Sequence, residues 1–328
     1  MIRFAWRQQR VVILLWVAAV AAVIGYMLVV GLAYQHDAHI LVTHRCLATS
    51  GPRPTFCVAD TMALANDRRQ LSYVAGMLYA LPCLGGVVLG APLVAGELER
   101  KTNRLAWTQG RSRTAWMLSK WAVAAAAVVV PMTVVAVIAA WWHVAVGQLD
   151  VIEPRYFDLT GFVVVAYALF ALALGTVLGT LLRRTAAAGL AAVVGFGLFR
   201  WWIRDGVRSS YLAPAASTHP TPFGAPDFPG SAWWLSEGWA STVGASASKV
   251  QRVVDACTRR AFPPGSTDSP AEQARLGACA TAHHVQSVIW YQPGSHFWPF
   301  QWIEAGIFVG AAVLFLGATV WLVRRWRA

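Results

Sequence analysis

The sequence predicts an all-α polytopic membrane protein: six transmembrane helices, with a long, partly helical extracellular loop before the last helix. Three observations point there. Only 13% of the 328 residues are Asp, Glu, Lys or Arg, about half the share of a soluble domain. Hydrophobic residues make up 57% and the mean hydropathy is +0.50, which excludes a single soluble domain and, with 17 Trp, 8 Tyr and 14 Phe, excludes disorder. The apolar residues also fall in six stretches near the roughly 20 residues needed to cross a bilayer.

The spans follow in order. Val11–Ala33, Leu71–Gly96, Trp121–Trp142 and Leu159–Leu182 carry no charge over their full lengths. Thr185–Phe199 is shorter and reaches further if Arg200 and Arg204 snorkel to the interface. Ala305–Val323 is the last, extended upstream through Glu304 towards Phe297. The first has a basic flank like a signal peptide, but its apolar run exceeds the usual cleavable core, so it reads as an uncleaved anchor.

Six spans put both termini on one side. Placing them in the cytoplasm collects 14 of the 27 Lys and Arg residues into short inner pieces: the N-terminus, 97–120, the turn at Arg183 and Arg184, and the C-terminal tail. This bias predicts N-in, C-in. The net charge of +12 would suggest nucleic acid in a soluble protein; here it reads as topology, and no nucleic acid is expected. Trp141, Trp142, Trp201, Trp202, Trp298 and Trp302 fall at outer boundaries, and Trp6, Trp321 and Trp326 at inner ones, as interfacial anchors do.

The chain thus divides into 1–203, with five membrane helices and a cytoplasmic loop at 97–120; an outer segment, 204–298; and 299–328, with the sixth helix and tail. The first outer loop, roughly 34–70, holds Cys46 and Cys57, the long one holds Cys257 and Cys279, and Cys83 lies within the second span. Four cysteines on the oxidising side predict two disulfides, Cys46–Cys57 and Cys257–Cys279, with a cross-link between loops left open. Tyr211–Gly230 is rich in Pro, Ser, Thr and Gly and is expected to be irregular. Beyond it, Val250, Val253, Val254 and Cys257 recur at helical spacing, and Ser269-Pro270-Ala271-Glu272 is a capping box opening a helix to about His284. His283 and His284 point about 100° apart on a helix, a poor arrangement for one metal, and no metal site is expected. Nothing selects a role for His36, Asp37, His39 and His44.

The inner loop reads GELERKTNRLAWTQGRSRTAWMLSK over Gly96–Lys120, six basic residues against Glu97 and Glu99, with Leu98, Leu105 and Trp107 interspersed. A short surface helix or a docking element fits this pattern. The order Glu97, Glu99, Thr102, Leu105, Thr108, Gln109, Ser112, Arg113, Trp116, Lys120 resembles the loop after the second span in ABC-2 type transporter permeases, particularly actinobacterial ones. YQPGSHFWPFQWIE, at Tyr291–Glu304, resembles the approach to their last span.

The resemblance implies a transmembrane permease subunit of an ATP-driven exporter in the plasma membrane. It implies that Glu97, Glu99, Thr102, Leu105, Thr108, Gln109, Ser112 and Arg113 couple the chain to a separate ATP-binding cassette subunit. It also implies a second permease chain, identical or different. The chain itself has no GxxxxGK[ST] motif, so it is expected to be no enzyme and to hold no cofactor, ATP and Mg²⁺ being bound by the partner.

Other residues fit a moving helical bundle. Small-xxx-small pairs occur at Gly86 and Gly90, Gly175 and Gly179, and Gly306 and Gly310, each able to pack helices closely within the chain or between chains. Pro82 and Pro92 make the second span a candidate kinked lever. Glu304, near the outer end of the last span, either gates a path or pairs with Arg200 or Arg204. The charge-poor spans suit a hydrophobic or amphipathic cargo (drug, lipid or peptide) better than an ion or sugar. A hydrolase reading lacks HExxH and GxSxG. The alternative is a non-transporting sensor or signalling subunit with an extracellular ligand-binding loop.

Overall fold

The computed structural model describes residues 2–44, 46, 55–100, 112–145, 152, 154–219, 232–263 and 269–325. Among these are six helices long and apolar enough to cross a membrane: α1 (Ile2–Thr43), α2 (Thr55–Glu99), α3 (Arg113–Ala145), α4 (Val163–Leu182), α5 (Thr185–Trp201) and α8 (Phe297–Arg325). Between the fifth and sixth come a π-helical turn (Trp202–Val207), strands β1 (Ala215–His219) and β2 (Trp233–Ser241), helices α6 (Ala247–Ala261) and α7 (Pro270–Ala282), and strand β3 (Val285–Gln292). The chain forms two compact units. One comprises Met1–Leu149, Arg155–Gly206 and Pro299–Ala328; the other comprises Asp150–Pro154 and Val207–Trp298.

The membrane unit is organised around α2 and α4. Leucine against lipid gains little over leucine against leucine, so spans associate where small residues let backbones approach. Gly86 and Gly90 meet the backbone of α4 at Ala171 and Leu172, while Gly175 and Gly179 meet the backbone of α2 at Gly90 and Ala91. Two of the three glycine pairs therefore pack against each other within one chain. The third does not: Gly306 and Gly310 on α8 have open space where a side chain would stand. Aromatic rings close two further glycine gaps, Trp16 of α1 over Gly85 and Trp142 of α3 over Gly31. Trp142 is thus a buried packing residue and not an interfacial anchor, whereas its neighbour Trp141 is exposed.

Helices α1 and α2, with 42 and 45 residues, are roughly 60–70 Å long at 1.5 Å per residue, about twice a 30 Å hydrocarbon core. The stretch 34–70 is accordingly not mainly a loop. Both helices run on past the apolar part as a hairpin. Tyr26 Oη donates to Gln70 Oε1 (2.6 Å), His44 pairs with Asp60 (2.9 Å), and a Cys46–Cys57 disulfide packs with Leu41. Continuous helix beats the loop expectation because the polar residues His36, Asp37, Asp67 and Arg69 all tolerate helix and no Gly or Pro interrupts either segment. α2 also runs unbroken through Pro82 and Pro92.

The inserted unit is more than helical. β3 is the central strand of an antiparallel sheet ordered β1-β3-β2, with Ala215 opposite Tyr291 and Trp233 opposite Gln292. Neither the sheet nor β1 within the supposedly irregular Tyr211–Gly230 is foreshadowed by the sequence reading. The Trp234/Ser236 register shift breaks the alternation of β2, and β1 (AASTH) is too polar and short to read as a strand. The helical expectations are met: α6 and α7 are joined by Cys257–Cys279, with Val250, Val254, Ala280 and Val285 forming a small core. The Ser269 hydroxyl accepts from Glu272 N, and the Glu272 carboxylate accepts from Ser269 N (3.0 Å), completing the capping box. The helix stops at Ala282, and His284 takes a left-handed conformation (φ 58°) leading into β3. Gln292 Nε2 donates to the carbonyls of Ser209 and Leu212, tying the strand's end to the entry of the unit.

A Cβ at position 86 would lie 2.4 Å from Ala171 Cβ and 2.5 Å from Leu172 N. We expect Gly86→Ala to cost about 1–3 kcal/mol and lower the melting temperature in detergent, with Gly310→Ala unchanged. In the hairpin, burial and then the neighbouring Asp37 carboxylate push the Asp67 carboxyl above its ordinary range. A carboxyl raised by folding favours the folded form below its unfolded pKa, and that contribution is lost as pH rises through the raised value. Amide exchange in 34–43 should therefore be faster at about pH 7 than at about pH 4 after correction for intrinsic rates, and Asp67→Asn should remove the difference.

Candidate functional site

Two polar constellations stand out in the membrane unit. The first lies where α2 ends and α3 and α5 begin, the end that carries Arg183, Arg184, Arg324 and Arg325. Glu97 forms an ion pair with Lys120, whose side chain is only 4% exposed. Lys120 also lies 4.9 Å from the Trp116 ring centroid, so burial, a counter-charge and an aromatic face together hold its ammonium. Two residues on, the Glu99 carboxylate accepts two hydrogen bonds from Thr185, one from its backbone N–H (2.8 Å) and one from its hydroxyl (2.9 Å). Thr185 is the first residue of α5, so a carboxylate from α2 caps another helix at its N-terminus, where the orphan N–H groups and the helix dipole favour negative charge.

The turn before Thr185 is two residues long. Arg183 adopts the left-handed conformation (φ 54°), and its N–H bonds to the Gly179 carbonyl, closing α4. Ser112 serves α3 similarly: its hydroxyl accepts from Ala115 N (3.2 Å) as an N-cap. Arg324 Nε of α8 donates to the Thr114 hydroxyl (3.0 Å). Of the residues singled out in sequence, Glu97, Glu99 and Ser112 thus occupy one framework. Arg113 begins α3, with its side chain outside the described residues, as are Thr102, Leu105, Thr108 and Gln109 entirely.

The second constellation lies at the opposite ends of the spans. The Tyr167 hydroxyl is hydrogen-bonded to both Glu304 and Asp158 Oδ1 (3.0 Å), and Asp158 Oδ2 pairs with Arg200 (3.1 Å). Arg200 donates to the Tyr79 carbonyl (3.1 Å) and lies 4.7 Å from the Tyr167 ring centroid and 5.2 Å from that of Tyr79. Glu304, Tyr167 and Asp158 are each at most 1% exposed. One turn before Glu304, Gln301 accepts from Val163 N and donates to the Phe157 and Thr160 carbonyls, seating the start of α4. Gly161 (φ 74°) turns beneath it, where a Cβ would stand 2.6 Å from the Gln301 side chain. The expectation that Arg200 snorkels is overturned. A buried Asp158 holds it inward, while Arg204 remains partly exposed beside Asp205. Glu304 reaches Arg200 through Tyr167 and Asp158, a chain the sequence reading did not foresee. Asp158 was the available signal, a carboxylate immediately before an otherwise apolar span.

The inserted unit has a cavity of about 590 Å³ bordered by Ser209, Leu212, Pro214 and Trp234. Its cysteines are paired, so Cys257 and Cys279 offer His283 no thiolate partner, and the same holds for Cys46 beside His44 and Asp60.

The Glu97–Lys120 pair gives a direct test. Lys120→Met alone leaves a carboxylate in a largely buried position and should cost roughly 3 kcal/mol. Pairing it with Glu97→Gln should recover most of that loss. The check is thermal unfolding of the purified chain in one detergent.

A comparison with curated proteins and with solved structures found no match. The family described as ABC-2 membrane transporter related matches residues 17–208. That stretch runs from the first span to the end of the fifth, covers more than half of the chain, and contains the framework at Glu97, Glu99 and Thr185. The Tyr291–Glu304 segment falls outside the matched range. On this match and these six spans, the chain belongs to the ABC-2 membrane transporter related family.

Proposed function

We propose that the chain is the membrane permease subunit of an ATP-driven exporter that moves a hydrophobic or amphipathic compound (a drug, lipid or peptide) across the plasma membrane. The observation that carries this reading is the framework around the basic loop. Glu97 holds α3 and Glu99 holds α5, so a push on residues 100–112 is delivered to three spans at once. Glu97, Glu99, Thr102, Leu105, Thr108, Gln109, Ser112 and Arg113 form the coupling element in this proposal. A separate ATP-binding cassette subunit, which binds ATP and Mg²⁺, supplies the push. This chain would add no cofactor and no catalytic residue.

The basic ends face the cytoplasm, by the excess of Lys and Arg there. Two permease chains are needed to enclose a path. The open stripe on α8 supports a place for the second: Gly306 and Gly310 have room for a close partner, and Val309, Val313 and Leu314 around them are exposed. At the opposite end, Glu304, Asp158 and Arg200 hold the spans that must part for cargo to leave. No observation favours the sensor reading.

Two experiments test this. Mild-detergent purification of the tagged chain should bring down a stoichiometric ATPase. Glu99→Ala should cut the cargo-stimulated ATPase rate by about tenfold while leaving membrane insertion intact; such losses are common when an interaction used only in the working step is removed. A chain that purifies without an ATPase in several detergents would sink the proposal. Separately, Gly310→Cys should cross-link two permease chains in the membrane under oxidant, and a monomer band at all oxidant levels would remove α8 as the seam.

A further inference from the structure

The two disulfides stand in different surroundings. Cys46 and Cys57 are 4% and 1% exposed and lie in one cluster with Leu41, against which Leu64 packs. In the inserted unit, Cys257 is 1% exposed and packs with Ala261 and Leu276. Its partner Cys279 is different: of the four half-cystines it alone keeps part of its surface open. A thiol arriving from solvent therefore meets the second disulfide from the side of α7, and meets the first hardly at all.

A thiolate opens a disulfide by attacking one sulfur and expelling the other. The rate depends on access to the first sulfur and on how readily the second leaves as a thiolate. Apolar burial makes Cys257 a poor thiolate, so its departure needs help. A ring nitrogen of His283 lies within 4.8 Å of both Cys257 Sγ and Cys279 Sγ, a gap that a side-chain rotation closes. Arg275, Cys279 and His283 follow at four-residue spacing along α7 and its C-cap, so they form a row on one flank of the helix. Arg275 and His283 are both exposed. A positive charge one turn from the sulfur under attack favours an incoming thiol that carries negative groups.

We propose that Cys257–Cys279 is an exchangeable disulfide whose site of attack is Cys279, and that its reaction partner is a small thiol bearing carboxylate groups. The thiolate bonds to Cys279 Sγ as the Sγ–Sγ bond breaks, and the electron pair of that bond leaves with Cys257. The incoming sulfur is oxidised and the Cys257 sulfur is reduced. The expelled thiolate takes a proton from the His283 imidazolium, leaving a mixed disulfide on Cys279 and a thiol at Cys257. Val250, Val254, Ala280 and Val285 still hold α6 against α7 after the bond opens. The two sulfurs therefore stay close, and Cys257 can expel the small thiol and restore the native bond. The proposal concerns the inserted unit alone and stands whether or not the chain exports anything.

The purified full chain is exposed in one mild detergent to glutathione, which carries carboxylates, and separately to mercaptoethanol, which carries none. Each rate is scaled to the same thiol's rate with an unstructured reference disulfide. Reactions are stopped with acid, and adducts are located by peptide mass spectrometry. The expected result is a glutathione adduct on Cys279, with Cys46–Cys57 reacting about a hundredfold more slowly because a shielded bond waits for local opening. His283→Gln should slow both thiols about tenfold, the effect of one hydrogen bond to a charged group. Arg275→Gln should leave mercaptoethanol unaffected and lower the scaled preference for glutathione about threefold, the size of an exposed charge interaction. A first adduct on Cys257, or equal rates at the two disulfides, would overturn the proposal. So would native rates in both variants, each showing the native melting temperature.

Discussion

The membrane unit rests on the backbone-to-backbone approach of α2 and α4. In lipid, apolar side chains have no reason to choose one neighbour over another, so specificity must come from shape. Four glycines, two on each helix, let the pair interlock so closely that a methyl group at Gly86 or Gly179 would meet backbone atoms. The other spans are arranged around that pair. α1 docks through Trp16 over Gly85, and α3 adds Trp142 over Gly31. α8 contributes Gln301 at the mouth of α4.

The two polar constellations sit at opposite ends of this interlocked pair. At one end α2 terminates in Glu97 and Glu99, which bind α3 and α5. At the other, α4 is preceded by Asp158 and carries Tyr167, which bind α5 and α8. α5 is therefore held at its first residue by α2 and near its last turn by Asp158. α5 is thus tied at both ends to side chains of neighbouring segments. The apolar middle supplies packing, and the charged groups at the two ends determine which helices are joined there.

Much of this was legible in the sequence. The six spans follow from length and apolarity. The Ser269 capping box and the Cys46–Cys57 and Cys257–Cys279 pairs follow from local chemistry within a few turns of chain. The glycine pairs were visible as candidates, but their partners were not, since identical spacing on α8 ended facing open space. What escaped the reading was set by contacts distant in sequence. Arg200 turned inward because of Asp158, 42 positions earlier. Glu99 became a helix cap because the chain returns at Thr185, 86 positions later. The sheet of the inserted unit escaped for a similar reason: β3 pairs with strands far upstream, and a register shift in β2 erased the alternation that would have announced it.

The spacing of the cysteines bears on how the protein is made. The bonds close loops of 11 and 22 residues, each contained within one hydrophilic segment between consecutive spans. In the proposed orientation, each segment is delivered whole to the oxidising side while later parts of the chain are still being synthesised. The first pair would meet its oxidant before Cys257 exists, and the second would form after Cys46 and Cys57 are already spent. Temporal order alone would then enforce the native pairing. A secretion apparatus handling this chain would need an oxidase but little disulfide isomerase, and a strain lacking only the isomerase should still assemble it.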